Sequence, residues 1–294
     1  MLYLPLAVAL MTAMTTGGDP LMKLTKTQLD AYHQDGFVIV PNVLSDAELG
    51  RIRADTRVAL AEESPRRVLE RDGQTVRGVH GQHKTFESFA RLVRHPRLVE
   101  PCRQILADEV FVYQFKINLK AAFAGELWPW HQDFIFWREE DGLPEPRLVN
   151  VAVMVDDNTE SNGPLMFLAG SHREGVIEVR PSASQGGAYA GEPAWIHNLT
   201  ADLKYVLSRE QVRYLAARHP VRTALGSAGS VLLFHPNLVH GSSNNITPID
   251  RCLILVTYNS VLNRAHPVSM PRPEFLASRD YTPVIAGPES ILTE

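Results

Sequence analysis

Only two cysteines, Cys102 and Cys252, occur in 294 residues. That rules out a disulfide scaffold and a cysteine-rich metal site, and it suits a cytoplasmic protein whose thiols are small buried apolar groups. Charge of one sign is lacking too. With 29 Lys and Arg against 33 Asp and Glu, the net charge of −4 gives no electrostatic reason to expect nucleic acid or an anionic membrane as partner. There is no internal repeat or low-complexity linker, and beyond the N-terminus no apolar run is long enough to cross a bilayer. The N-terminal "MLYLPLAVALMTAMTTGGDPLMK" lacks the basic residues that open a secretory signal, since its first positive charge is Lys23. Pro5 and a Thr/Gly tract also interrupt it before it could span a membrane. The expectation is that the natural start is Met22, with residues 1–21 a misassigned or disordered extension and 22–294 a single domain.

What is present divides into two halves. From Leu24 to Asp108 the pattern is mainly helical. "TKTQLDAYHQDGFVIV" predicts a helix ending at Gly36 and a strand over Phe37 to Val40. Ser45 and Glu48 have capping-box spacing and open a helix to about Glu63, and two further helices divide at Pro96. From Val110 the segments "VFVYQFKINLK", "RLVNVAVMVDD", "GPLMFLAG", "GSVLLFHPN" and "RCLILVTYN" read as strands of a β-sandwich or barrel. Residues 181–219 interrupt them with a Gly/Ala/Ser-rich loop and then helical "ADLKYVLSREQVRYLAARH". Such an insertion is a candidate active-site lid or surface decoration.

Chemistry concentrates in "WPWHQDFIFW". A carboxylate among large aromatics is costly unless something pairs with it. On an extended segment His131 and Asp133 leave the same face and can converge on one ion. Alone, His-x-Asp is a weak signal in a chain with 11 histidines. His240, in "FHPNLVHGSSNN", supplies a third ligand. Two imidazoles and one carboxylate match the facial triad that holds Fe(II) while leaving positions open. Arg251 follows His240 closely enough for the chain to turn back and offer a bidentate fork to a remote carboxylate. Gln114, Lys116 and Asn118 alternate with Phe115 and Ile117, so the polar three share a face. That face is solvent-exposed in a lone strand and becomes pocket lining if the strand borders a barrel interior.

"WHQDFIFWREEDGLPEPRLVNVAVMVDDNTESNGPLMFLAGSH", with "LLFHPNLVHGSSNN" and Arg251, resembles the phytanoyl-CoA dioxygenase superfamily of Fe(II)/2-oxoglutarate oxygenases. Within it the chain is similar to the branch that hydroxylates free amino acids. "ESPRRVLERDGQTVRGVHGQHK", "QFKIN", "WPWHQDFIFW" and "PRPEFLASRDYTPV" look most like the bacterial L-proline trans-4-hydroxylase group, with ectoine hydroxylase and leucine 5-hydroxylase as relatives. The likeness runs from about Leu24 to Val284. It implies a mainly β fold with a helical buttress, a double-stranded β-helix of the jelly-roll or cupin-like kind. It implies His131, Asp133 and His240 as iron ligands, and Arg251 with Ser242 on the distal carboxylate of 2-oxoglutarate. Gln114 and Asn118 would hold that cosubstrate from the neighbouring strand, and Lys116 would face the substrate. The implied cofactors are Fe(II), 2-oxoglutarate and O2, with ascorbate as stimulant. The implied reaction turns L-proline into trans-4-hydroxy-L-proline, with succinate and CO2 as coproducts. Leucine, pipecolate or ectoine would leave the same motifs unchanged.

Other residues are weighed beside these. Arg77 and His80 stand where the resemblance places the pocket mouth, and either could reach a substrate carboxylate. Trp137 is a candidate apolar wall. Trp128, Trp130, Phe134 and Phe136 read as packing around an iron-bearing strand, and His172 as structural. Glu139, Glu140 and Asp141 read as a solvated acidic loop. A halogenase is disfavoured, because it would need a small residue at position 133. A non-catalytic, metal-retaining jelly-roll binding module is disfavoured because it has no use for a clamp at Arg251.

Overall fold

The computed structural model describes residues 23–182 and 187–294. The expected extension at 1–21 lies outside the described residues, as does a short stretch of the insertion. Thr25 caps α1 (Lys26–Asp35) in a reciprocal box with Gln28, and Gly36 in a left-handed conformation turns the chain into β1 (Phe37–Val40). Ser45 and Glu48 form the predicted capping box of α2 (Asp46–Ala61). An antiparallel pair, β2 (Arg67–Leu69) and β3 (Val76–His80), sits inside the half expected to be helical. It is followed by α3 (Glu87–Leu92) and α4 (Pro96–Leu106). Pro96 starts α4, where its missing N–H costs nothing.

The remaining elements in chain order are β4 (Val110–Lys120), β5 (Trp128–His131), α5 (Asp133–Asp141), β6 (Leu148–Met154) and β7 (Leu165–Leu168). Then come α6 (Arg209–Ala216), β8 (Val221–Thr223), β9 (Val231–Phe234), β10 (His240–Ser242) and β11 (Arg251–Ser260). Seven strands pair in the order β1-β9-β6-β11-β4-β3-β2 and four in the order β5-β10-β7-β8. The two antiparallel sheets build the expected jelly roll.

All residues of β6 and β11 are buried, because the large sheet is covered on both faces. On its outer face Val149, Val151, Val153, Ile254 and Val256 pack with Ile52, Phe89 and Leu98 of the helical layer. On its inner face Ala152, Met154, Leu253 and Leu255 meet Leu165 and Phe167 of the small sheet. Each fully buried Leu, Ile or Phe contributes roughly 1.5–3 kcal/mol, so these two layers fix the barrel. Polar residues enter the inner face in register: Asn150, Thr257 and Gln114 form one cross-strand row, with Lys116 and Asn118 in the next two.

Two local expectations need correction. His131 ends β5 and Gln132 stays extended, but Asp133 is the first residue of α5 and not part of a strand. The chain bends there because the N–H groups of Asp133 and Phe134 both donate to Pro236 O. A helix also buries Phe134, Ile135, Phe136 and Trp137 together, whereas a strand would turn alternate ones away. Likewise, residues 201–207 are not helical. Ala201, Leu203, Tyr205 and Leu207 are buried in alternation with half-buried neighbours, the period of extended chain. Ser208 then caps α6 in a box with Gln211.

Candidate active site

The pairing of β5 with β10 sets His131 directly opposite His240, with ring centroids 4.2 Å apart. Asp133, at the head of α5, places one carboxylate oxygen 3.8 Å from His131 Nε2 and the other 3.8 Å from His240 Nε2. The three ligand atoms lie within 4.8 Å of one another and all three residues are buried. His131 Nδ1 sits 2.6 Å from Pro129 O, and His240 Nδ1 sits 2.9 Å from Leu238 O. Each Nδ1 therefore carries the proton and donates, which leaves both Nε2 lone pairs facing the carboxylate. Burial, reinforced by the neighbouring His240, pushes His131 down to about 3, so the ring is neutral. Burial alone would raise Asp133. Lys116 and the hydrogen bond from Asn150 oppose it, and Asp133 is held below the usual carboxylate range. Asn150 Nδ2 donates to Asp133 at 2.8 Å, and Thr257 Oγ1 donates to Asn150 Oδ1 at 2.7 Å, which fixes the carboxylate from behind. Neutral imidazoles and an ionised, oriented carboxylate fit a divalent ion such as Fe(II).

A cavity opens onto this triad, and its lining includes Arg251, Asn118, Leu253 and Leu165 together with Trp128, Phe136 and Trp137. Arg251 begins β11, and its Nη2 donates to Gly163 O at 2.8 Å. Gly163 has φ 71, and a Cβ there would lie 2.9 Å from Ser243 O, so only glycine allows this approach. Burial lowers the guanidinium to about 10, so it stays cationic at neutral pH. Arg251 Nε and Ser242 Oγ are buried with no hydrogen-bond partner among the described residues. Two unpaired buried donors, each costing about 1–3 kcal/mol, suit a carboxylate guest. Gln114, Lys116 and Asn118 all line the cavity, while Phe115 and Ile117 pack into the outer core.

The structure does not bring Arg77 and His80 to the lining. Arg77 is buried and engaged: it pairs with Glu70 at 2.7 Å, donates to Leu199 O and Leu127 O, and stacks 3.8 Å over the Trp128 ring. His80 is buried beside its cross-strand partner Lys116. Trp137 lines the cavity, and so do Trp128 and Phe136, expected only as packing. Asp141 is no part of a solvated loop. It is buried at the end of α5, accepts from Arg272 Nε at 2.8 Å and Nη2 at 2.5 Å, and also bonds the Tyr113 hydroxyl. Glu140 is tied to Lys204 and Tyr205.

Sequence reasoning missed Arg272, Asn150, and the insertion residues Asn198, Leu199 and Leu203 at the lining. Arg272 lies within the quoted terminal "PRPEF", so its segment carried a signal. Asn150 interrupts an otherwise apolar strand, which is the mark of a polar residue with a task. From the insertion, Asn198, Leu199 and Leu203 line the cavity.

The sequence matches the phytanoyl-CoA dioxygenase (PhyH) family over residues 32–252. It is 43% identical over 270 residues to the L-proline trans-4-hydroxylase of Streptomyces griseoviridis, covering 90% of this chain and 97% of that one. It is 38% identical over 277 residues to the ectoine dioxygenase of Streptomyces avermitilis, covering 89% and 88%. Among solved structures, EctD from S. alaskensis with 2-oxoglutarate and 5-hydroxyectoine superposes with a TM-score of 0.75 at 30% identity, covering 90% of this chain and 89% of that one. EctD with bound Fe gives 0.74 over the same shares. No helix among the described residues is long and apolar enough to cross a membrane. Triad, fold and sequence converge, and the chain belongs to the phytanoyl-CoA dioxygenase family.

Proposed function

We propose that this chain is an Fe(II)- and 2-oxoglutarate-dependent hydroxylase of a free amino acid, and that its substrate is L-proline, converted to trans-4-hydroxy-L-proline. The observation that carries the chemistry is the buried triad beside Arg251, whose Nε, like Ser242 Oγ, has no partner within the described fold. The 43% identity to a proline hydroxylase over 97% of its length favours the substrate. Fe(II) with 2-oxoglutarate supplies the activation of O2 and the oxidising equivalents for inserting oxygen into a C–H bond, releasing succinate and CO2.

The protein's own share is placement. His131, Asp133 and His240 would hold the ion, with Asn150 keeping the carboxylate in its orientation. Arg251 and Ser242 would take the distal carboxylate of 2-oxoglutarate, with Gln114 and Asn118 beside it. Lys116 brings positive charge to a substrate carboxylate, and Trp128, Phe136 and Trp137 wall off water from a small apolar ring. Asn198, Leu199 and Leu203 of the insertion would close one side of the cavity around the substrate. Selectivity would then be a matter of which C–H bond these residues hold nearest the ion.

A panel of free amino acids with Fe(II), 2-oxoglutarate and ascorbate tests this, with products identified by mass spectrometry and NMR. Proline giving the trans-4-hydroxy product with matched succinate is the expected result. Turnover of leucine, pipecolate or ectoine in preference to proline would replace the substrate, and no turnover of any would end the enzyme reading.

A further inference from the structure

An amino acid zwitterion brings two charges to a site, and the cavity answers them unequally. Among the described residues its charged lining groups are the cations Lys116 and Arg251, Arg272 already paired with Asp141, and the carboxylate Asp133. Both oxygens of Asp133 are committed, one facing His131 Nε2 and the other facing His240 Nε2 and bonded to Asn150. A substrate ammonium therefore finds no spare carboxylate and must donate to a neutral acceptor. Three amides line the cavity. Gln114 and Asn118 belong to β4, flanking Lys116; Gln114 donates its Nε2 to Leu276 O, and neither side-chain oxygen is a buried orphan among the described residues. Asn198 comes from the insertion.

Asn198 is only 7% exposed, and its Oδ1 is buried without a donor among the described residues. A buried acceptor left unpaired is an expense that folds avoid unless a ligand completes it. Its position is also firmly set. Ile196 and Leu199, on either side of it, pack with Val68, Tyr189 and Leu276. Arg77 Nε donates to Leu199 O at 3.0 Å while the same guanidinium stacks on cavity-lining Trp128. One buried cation thus holds two parts of the wall, and Asn198 lines the cavity beside them.

We propose that Asn198 accepts a hydrogen bond from the ammonium of the substrate and so selects an amino acid over an otherwise identical carboxylic acid. This rests on the amino acid hydroxylase reading above. A site that must satisfy a buried acceptor rejects an analogue lacking the N–H far more strongly than it rejects a change of apolar bulk.

The test uses the holoenzyme, loaded with Fe(II) and 2-oxoglutarate under anaerobic conditions, and reads binding by tryptophan fluorescence. L-Proline is compared with tetrahydrofuran-2-carboxylate, which replaces the ring N–H2 with oxygen. The wild type is expected to prefer proline by more than tenfold. Asn198→Ala should weaken proline by roughly tenfold, as for loss of one charge-assisted hydrogen bond. It should leave the analogue and the 2-oxoglutarate affinity unchanged. Asn198→Asp, which keeps an acceptor, should retain proline. Unchanged proline affinity and unchanged discrimination in Asn198→Ala would overturn the proposal. If that variant does not fold, the near-isosteric Asn198→Leu decides the question by the same criterion. Wild-type protein that binds no amino acid at all would instead overturn the reading on which this rests.

Discussion

His131 and His240 face each other across one antiparallel pair, and each turns Nδ1 to the carbonyl two residues before it in its own chain. The shared arrangement sets both rings in the same tautomer and aims both Nε2 atoms at Asp133. Asp133→Ala removes the anionic member of this set and should abolish succinate release and hydroxylation together. Near-normal turnover in that variant would show that the ligand set is misassigned.

Asn150 donates to Asp133 and is not one of the three candidate ligands, so its loss separates orientation from coordination. Asn150→Ala should lower metal affinity by about 10- to 100-fold, measured by titration of the metal-free chain. Thr257→Val, one bond further back, should have a smaller effect in the same direction.

Arg251 combines burial, a bond to Gly163 O and an unpartnered Nε. Arg251→Ala should raise the KM for 2-oxoglutarate by at least about tenfold, since truncating one member of a buried charged pair is costly. The amino acid KM should change little. Arg251→Lys keeps the charge, loses the fork and should fall between the two.

Much of this site was legible because short spacings carry it. His131 and Asp133 lie two residues apart, and alternation on β4 places Gln114, Lys116 and Asn118 on one face without knowledge of the fold. What stayed hidden depends on long-range contacts. The start of a helix at Asp133 is decided by Pro236, about a hundred residues away in sequence. Asp141 reads as solvated in sequence because its partner Arg272 lies in the C-terminal segment, and an acidic run next to a glycine looks like a surface loop when seen locally. Arg77 resembles a substrate-binding cation in sequence, yet its fork is consumed by Glu70 and the carbonyls of Leu199, Leu127 and Glu126. The insertion misleads by propensity: residues 201–207 contain good helix formers, but burial at every second position overrides them.

The Glu70–Arg77 pair is buried at both ends, each side chain about 2% exposed. Removing one partner of such a pair leaves an uncompensated charge inside, at a cost of about 3–5 kcal/mol. Glu70→Ala should lower unfolding free energy by that amount in urea titrations. The double variant with Arg77→Met should recover part of the loss, because no lone charge remains. A single-variant effect under about 1 kcal/mol would mean that the carbonyls of Leu127 and Leu199 suffice to hold the guanidinium.

His80 yields a prediction about pH. Burial, together with Lys116 opposite it and Arg272, pushes its pKa down from 6.5 to about 3. The folded chain therefore keeps this ring neutral between pH 6.5 and 3, while the unfolded chain takes up a proton. Unfolding binds the proton, so stability is full above about pH 6.5 and declines as the pH falls, by roughly 1.4 kcal/mol per unit for this one group. His235, pushed to about 3, and His83, pushed to about 4, add slopes of the same sign. In His80→Leu one of these proton uptakes disappears. Whatever the variant costs at about pH 7, its stability relative to wild type should improve by about 2 kcal/mol on moving to about pH 5. Urea unfolding of both proteins at the two pH values measures this directly. A difference that stays constant with pH would mean that His80 titrates in the folded protein as it does in the unfolded one, and that Lys116 and Arg272 do not act on it.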